Sequence, residues 1–202
     1  GIRKVSSDPP SPANGQMWYN TTTKVIKGFK ENPAGAWAAG GNVNTARYVS
    51  GGSGTQTAGL MIAGATAPPN VKRAYTESYN GTSWTEVNDL NTARFLVAAA
   101  GGPAGQTASL AIGGGAAPGS LAIVENWNGS SWTEVGDLNT ARQQGSGAGT
   151  STAAITFGGY ASFPSPEDKT ESWNGSAWTE VNDLNTARLY GASSGTSTSA
   201  LY

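Results

Sequence analysis

Short apolar runs alternate along the chain with clusters of Gly, Ser, Thr and Asn. Leu60-Met61-Ile62-Ala63-Gly64, Leu110-Ala111-Ile112-Gly113-Gly114 and Ile155-Thr156-Phe157-Gly158-Gly159 each end on a Gly pair or, in the first, on Ala-Gly. Glu77-Ser78-Tyr79-Asn80-Gly81, Glu125-Asn126-Trp127-Asn128-Gly129 and Glu171-Ser172-Trp173-Asn174-Gly175 each run an aromatic strand end into Asn-Gly. That dipeptide between β-prone runs is the strongest short hairpin signal and predicts a type I′ turn, with positive φ at both central positions. No stretch places apolar residues at helical spacing with start and stop signals, so no helix is expected. Upstream, Gln16–Asn20 and Lys24–Phe29 flank three threonines and predict a hairpin over 16–29. Pro9, Pro10 and Pro12 among Ser, Asp and Asn predict an extended linker or arm over 1–15, because proline fixes φ and removes ladder donors.

These elements recur in a fixed order. Ser83 to Arg94 returns almost unchanged as Ser131 to Arg142 and as Ala177 to Arg188, and a worn copy runs from Ala36 to Arg47. Successive repeat tryptophans, Trp37, Trp84, Trp132 and Trp178, lie 47, 48 and 46 residues apart. A period of that size marks a repeat architecture. Four short strands per period and no helix is the count of a β-propeller blade. Residues 16–202 read as one propeller segment: the hairpin at 16–29, a partial blade at 37, blades at about 48–87, 95–135 and 143–181, and a partial blade over 189–202. Two accounts of the partial blades stay open. Either they combine into a composite fourth blade, or the chain, which begins at Gly1 rather than Met, is a piece of a longer propeller; unpaired edges on an open blade favour the second.

The Gly pair after an apolar strand, the Glu-x-aromatic-Asn, the Trp five residues after that aromatic and the Arg ten beyond it resemble the kelch repeat over roughly residues 37–202. The resemblance implies an all-β, kelch-like β-propeller of four-stranded antiparallel blades, incomplete at its ends, with an N-terminal extended arm. Ala63-Gly64 departs from the Gly pair, and no Glu-x-aromatic-Asn precedes Trp37. Separately, Asn14-Gly15-Gln16-Met17-Trp18-Tyr19-Asn20 followed by Val25-Ile26-Lys27 is similar to short segments of bacteriophage tail and fibre proteins, marine ones especially. That similarity implies a virion or extracellular location, with other virion proteins or a host surface receptor, glycan included, as partners.

Composition narrows the chemistry. Charged residues are 12% of the chain and the net charge is -1, so no basic field exists to hold a phosphate backbone and no nucleic-acid partner is expected. No apolar run approaches a membrane span, so no membrane insertion is expected. His and Cys are both absent. Without them the usual zinc sites and the Ser-His-Asp and Cys-His nucleophiles cannot be assembled, nor can galactose-oxidase-like copper chemistry. No metal, no cofactor and no enzyme activity are expected. Alternatives to a phage structural or receptor-binding protein are a carbohydrate-binding or carbohydrate-active propeller and an intracellular protein-interaction module; a homo-oligomer is compatible with each.

Glu77, Glu125 and Glu171 share one repeat position, and Arg47, Arg94, Arg142 and Arg188 share another. Carboxylates recurring once per blade suit hydrogen bonding between neighbours better than glycoside hydrolysis, which needs one pair, or Ca²⁺ ligation. The arginines are therefore expected to be buried against a neighbouring blade, and the Trp series to pack between blades. Function on repeat scaffolds sits in loops that vary, here 65–73, 115–121 and 160–169, on the face that also carries the Trp-to-Arg loops. Tyr160 and Phe163, with Lys72 and Arg73, are the expected contact residues, Tyr160 and Phe163 as exposed aromatics.

Overall fold

The structure, a computed structural model, describes residues 2–10, 16–28, 40–68, 70–116, 118–162 and 164–201. Two compact units divide at Ala39/Gly40. In the first, β1 (Arg3–Val5) pairs parallel with β2 (Met17–Asn20), which pairs antiparallel with β3 (Val25–Gly28). Residues 3–5 thus correct the expectation of a linker over 1–15: they form a strand. Asp8 explains why this stretch is held. Its carboxylate accepts from Lys27 Nζ (2.6 Å), Trp18 Nε1 (3.0 Å) and Asn20 Nδ2 (2.8 Å). Those bonds, the Lys27 one foremost, pull its pKa down to about 2. At the β2–β3 turn, Asn20 Oδ1 accepts the N–H groups of Thr22 and Thr23.

The second unit is built from three four-stranded antiparallel sheets. The first sheet is β4 (Gly51–Thr55), β5 (Ala58–Ile62), β8 (Thr76–Tyr79) and β9 (Trp84–Val87), with β6 (Ala65–Thr66) and β7 (Val71–Lys72) forming a two-stranded ribbon between its second and third strands. The second is β10 (Ala98–Ala100), β11 (Ser109–Ile112), β14 (Val124–Trp127) and β15 (Trp132–Glu134), with the ribbon β12 (Gly115–Ala116) and β13 (Gly119–Ser120). The third is β16 (Ser146–Gly149), β17 (Ala154–Phe157), β18 (Thr170–Trp173) and β19 (Trp178–Val181). A last pair, β20 (Ser194–Thr196) and β21 (Ser199–Leu201), forms a two-stranded sheet. Among the described residues these pairings make separate sheets and close no ring.

The Asn-Gly turns are wider than type I′. The last cross-strand pairs are Tyr79–Trp84, Trp127–Trp132 and Trp173–Trp178, leaving four-residue loops. Only the glycines take positive φ: 92° at Gly81, 94° at Gly129 and 95° at Gly175. In each loop the Asn Oδ1 accepts two backbone N–H groups, those of Thr82 and Ser83 in the first. The side-chain carbonyl thereby replaces the second left-handed residue.

Apolar residues bury between sheets rather than within one. Leu60, Ile62 and Ala63 of the first sheet pack in one cluster with Ala111, Trp127 and Trp132 of the second. Leu110, Ile112 and Val124 pack in another with Ala154, Trp173 and Trp178 of the third. Within each seam the tryptophans stack at a tilt, centroids 5.3 Å apart for Trp127–Trp132 and 5.4 Å for Trp173–Trp178. The first strands of successive sheets lie side by side. A Cβ at Gly51 would stand 3.5 Å from the Ala99 Cβ, and one at Gly147 2.9 Å from the Ala99 carbonyl oxygen. This closeness demands small residues: a Cβ at Gly105 would stand 2.4 Å from the Gly54 nitrogen.

Candidate functional site

Each seam is fastened by one repeated latch. Glu125 Oε2 accepts from Asn91 N (2.7 Å) and Nδ2 (2.8 Å), its Oε1 accepts from Thr92 N and from Arg94 Nη1, and Arg94 Nη2 donates to the Ala111 carbonyl. Glu171 receives Asn139, Thr140 and Arg142 in the same way, and Glu77 receives Asn44, Thr45 and Arg47. All three ion pairs have side chains at most 2% exposed. Burial pulls the Arg94 pKa down, with the adjacent Glu125 carboxylate opposing it. Ion pairs of this kind hold sheets together and leave no free carboxylate at those positions.

Arg188 corrects the expectation of burial: it is exposed, and its Nε donates to the Thr186 carbonyl at 3.3 Å. Each latch takes its carboxylate from the third strand of the next sheet. Trp132 and Trp178 are buried. Trp84 is half-buried, stacked on Tyr79 at 4.9 Å and donating to the Gly41 carbonyl. Trp37 lies outside the described residues.

The latch also fixes a face. Immediately after each arginine, the chain bridges back to the loop joining the second and third strands: Tyr48 to Ala65, Phe95 to Gly115 and Gln143 to Tyr160. The variable segments 65–73, 115–121 and 160–169 therefore surround the Trp-to-Arg returns. Here Tyr160 corrects the expectation of an exposed aromatic: only 8% of it is accessible. Its backbone exchanges both bonds with Gln143, Ser120 Oγ donates to its carbonyl, and burial pushes its phenol pKa up. Phe163 lies outside the described residues. Lys72 and Arg73 are half-buried and turned to aromatic neighbours, Lys72 Nζ 5.6 Å from the Phe95 centroid and the Arg73 guanidinium 5.3 Å from Tyr75.

At the centre of this face stands a group that sequence reasoning missed. Val49, Leu96, Gln144 and Tyr190, each two residues beyond a repeat arginine, all adopt left-handed backbone, with φ of 51°, 56°, 58° and 56°. Leu96 N donates to the Val49 carbonyl (2.7 Å), Gln144 N to that of Leu96 (3.2 Å) and Tyr190 N to that of Gln144 (3.1 Å). They line a depression of about 260 Å³ together with Ser50, Val97, Gly145 and Gly191. Left-handed non-glycine residues cost of order 1–3 kcal/mol each, and a β-branched one is an outlier; such strain gathers at functional sites. The signal was present in the chain: the two positions after each near-constant Asn-Thr-Ala-Arg are Tyr-Val, Phe-Leu, Gln-Gln and Leu-Tyr, abrupt variation beside the most uniform stretch of the repeat.

Among the described residues, no group of three or more Asp or Glu side chains is arranged to hold a metal ion. No protein-family model matches the sequence, and no curated protein matches it either.

Proposed function

We propose that this chain is a non-enzymatic recognition and structural component of a phage particle, in its tail or fibre, built as an array of kelch-like propeller blades. One observation carries the recognition role: four positions with one shared backbone conformation and four different side chains converge at the centre of a face rimmed by variable loops. A conserved frame with variable chemistry at its mouth is how repeat scaffolds bind partners. The non-catalytic reading is supported by the engagement of Glu77, Glu125 and Glu171 in buried latches. The phage assignment draws on the similarity of residues 14–27 to tail and fibre segments and on the near-identical tandem repeats. Mass spectrometry of gradient-purified virions from the source of this sequence tests it. The chain should co-purify with intact particles; its presence only in the cell lysate would overturn the assignment and leave an interaction module of the host cell.

A further inference from the structure

We infer that the depression at the centre of this face takes a neutral hydroxylated ring, a single hexose unit, with Tyr190 as its platform and the Gln144 carboxamide as its anchor. The inference rests on the recognition reading above and gives it a ligand class.

Three features of the depression select that chemistry. Its lining, Val49, Ser50, Leu96, Val97, Gln144, Gly145, Tyr190 and Gly191, contains no charged side chain. A charged ligand would lose hydration there with no counter-charge in the lining, so a neutral one is favoured. Tyr190 is 70% exposed, an aromatic surface of the kind on which the C–H face of a pyranose rests. Gln144 is only 8% exposed. Its Nε2 donates to the Tyr160 hydroxyl at 3.3 Å, while no donor among the described residues reaches its Oε1. That oxygen is itself buried, and a buried carbonyl without a donor is costly; a turn of the carboxamide toward the depression lets a sugar hydroxyl supply the missing hydrogen bond.

Size agrees. Pockets for drug-sized ligands run to about 300–1,000 Å³, so about 260 Å³ holds one ring rather than an extended oligosaccharide. Further sugar units would extend over the rim of variable loops. Tyr160, also buried, holds the Gln144 amide nitrogen through its hydroxyl.

The test is ligand-observed NMR and calorimetric titration of the full chain with the methyl glycosides of glucose, galactose and mannose and with N-acetylglucosamine. At least one should bind, and Tyr190→Ala, an exposed change that leaves the melting temperature unaltered, should weaken it by at least about tenfold. Gln144→Leu should weaken the same glycoside, whereas Lys72→Ala on the rim should not. Absence of binding by all four probes overturns the inference, as does binding that Tyr190→Ala leaves unchanged. Attachment of the same variants to host cells separates the two readings. If Tyr190→Ala abolishes attachment while no glycoside binds, the face remains a recognition surface and its ligand is not a sugar.

Discussion

The two seams between the three sheets are assembled from the same parts and differ in how a buried indole is met. In the first, Trp132 Nε1 donates to Thr76 Oγ1 at 3.1 Å. In the second, the corresponding ring is Trp178, and the residue at the repeat position of Thr76 is Val124. Trp178 is buried and its Nε1 is left without an acceptor among the described residues. The Glu–Arg ion pairs and tilted Trp pairs recur in both, although Arg94 Nη2 donates to the Ala111 carbonyl whereas Arg142 Nη1 reaches those of both Gly158 and Lys169. The lesson is that a repeat tolerates an orphaned indole N–H when the ring's area and the latch beneath it hold the seam closed. An unmade hydrogen bond costs about 1–3 kcal/mol, a sum that the surrounding burial covers.

The largest effect tests whether the latches are as equal as they look. Glu125→Ala and Glu171→Ala each strand a buried arginine, and each should cost about 3–5 kcal/mol in chemical denaturation. Losses that differ by more than the error of extrapolation would show that the seams are not equivalent. The next effect addresses the indole difference directly. Thr76→Val should destabilise by about 1–3 kcal/mol, and Val124→Thr should stabilise by about 0.5–1.5 kcal/mol by giving Trp178 an acceptor. A Val124→Thr variant less stable than the parent would mean that the added hydroxyl faces away from the indole. The smallest effect comes from Ala63, which holds φ of 59° where the second seam has Gly113 at 58°. Ala63→Gly relieves about 1–2 kcal/mol of left-handed strain but removes one buried methyl group, worth about 0.8 kcal/mol. A net gain of up to about 1 kcal/mol is expected, measured as a small rise in the denaturation midpoint.

The contrast between latch and mouth is of a different kind. Latch residues are uniform because every seam asks the same of them, and a buried charge held by its counter-charge permits few substitutes. Residues at the mouth need only keep a backbone conformation, and Val, Leu, Gln and Tyr all do so at a cost in strain. Uniformity in this chain therefore marks what holds the sheets, and variation beside it marks what the sheets can present.

Much of the local structure was legible in the chain. Apolar runs of four or five residues ending on a Gly pair became second strands, and Asn-Gly marked every hairpin between third and fourth strands, because strand alternation and left-handed turns are decided by neighbours a few residues apart. Turn width was not legible, since Asn80, Asn128 and Asn174 close their loops through side-chain carbonyls rather than by their own φ. The strand at residues 3–5 was hidden behind its prolines; it depends on Asp8 meeting Trp18, Asn20 and Lys27, contacts 10 to 19 residues away.

What the sequence determined by itself was the period, the order of strands within it and the residues repeated at each turn, all short-range information written once per repeat. What only the tertiary structure decided was the fate of each copy. Arg94 and Arg142 are buried against a carboxylate from the third strand of the following sheet, whereas Arg188, in nearly the same surroundings in sequence, is exposed. Tyr160 reads as a surface aromatic in its loop, yet it is covered once Gln143, Gln144 and Ser120 close over it. Identical segments acquire different environments because desolvation is a property of what packs against a residue, and in a stack of sheets that neighbour lies tens of residues away along the chain.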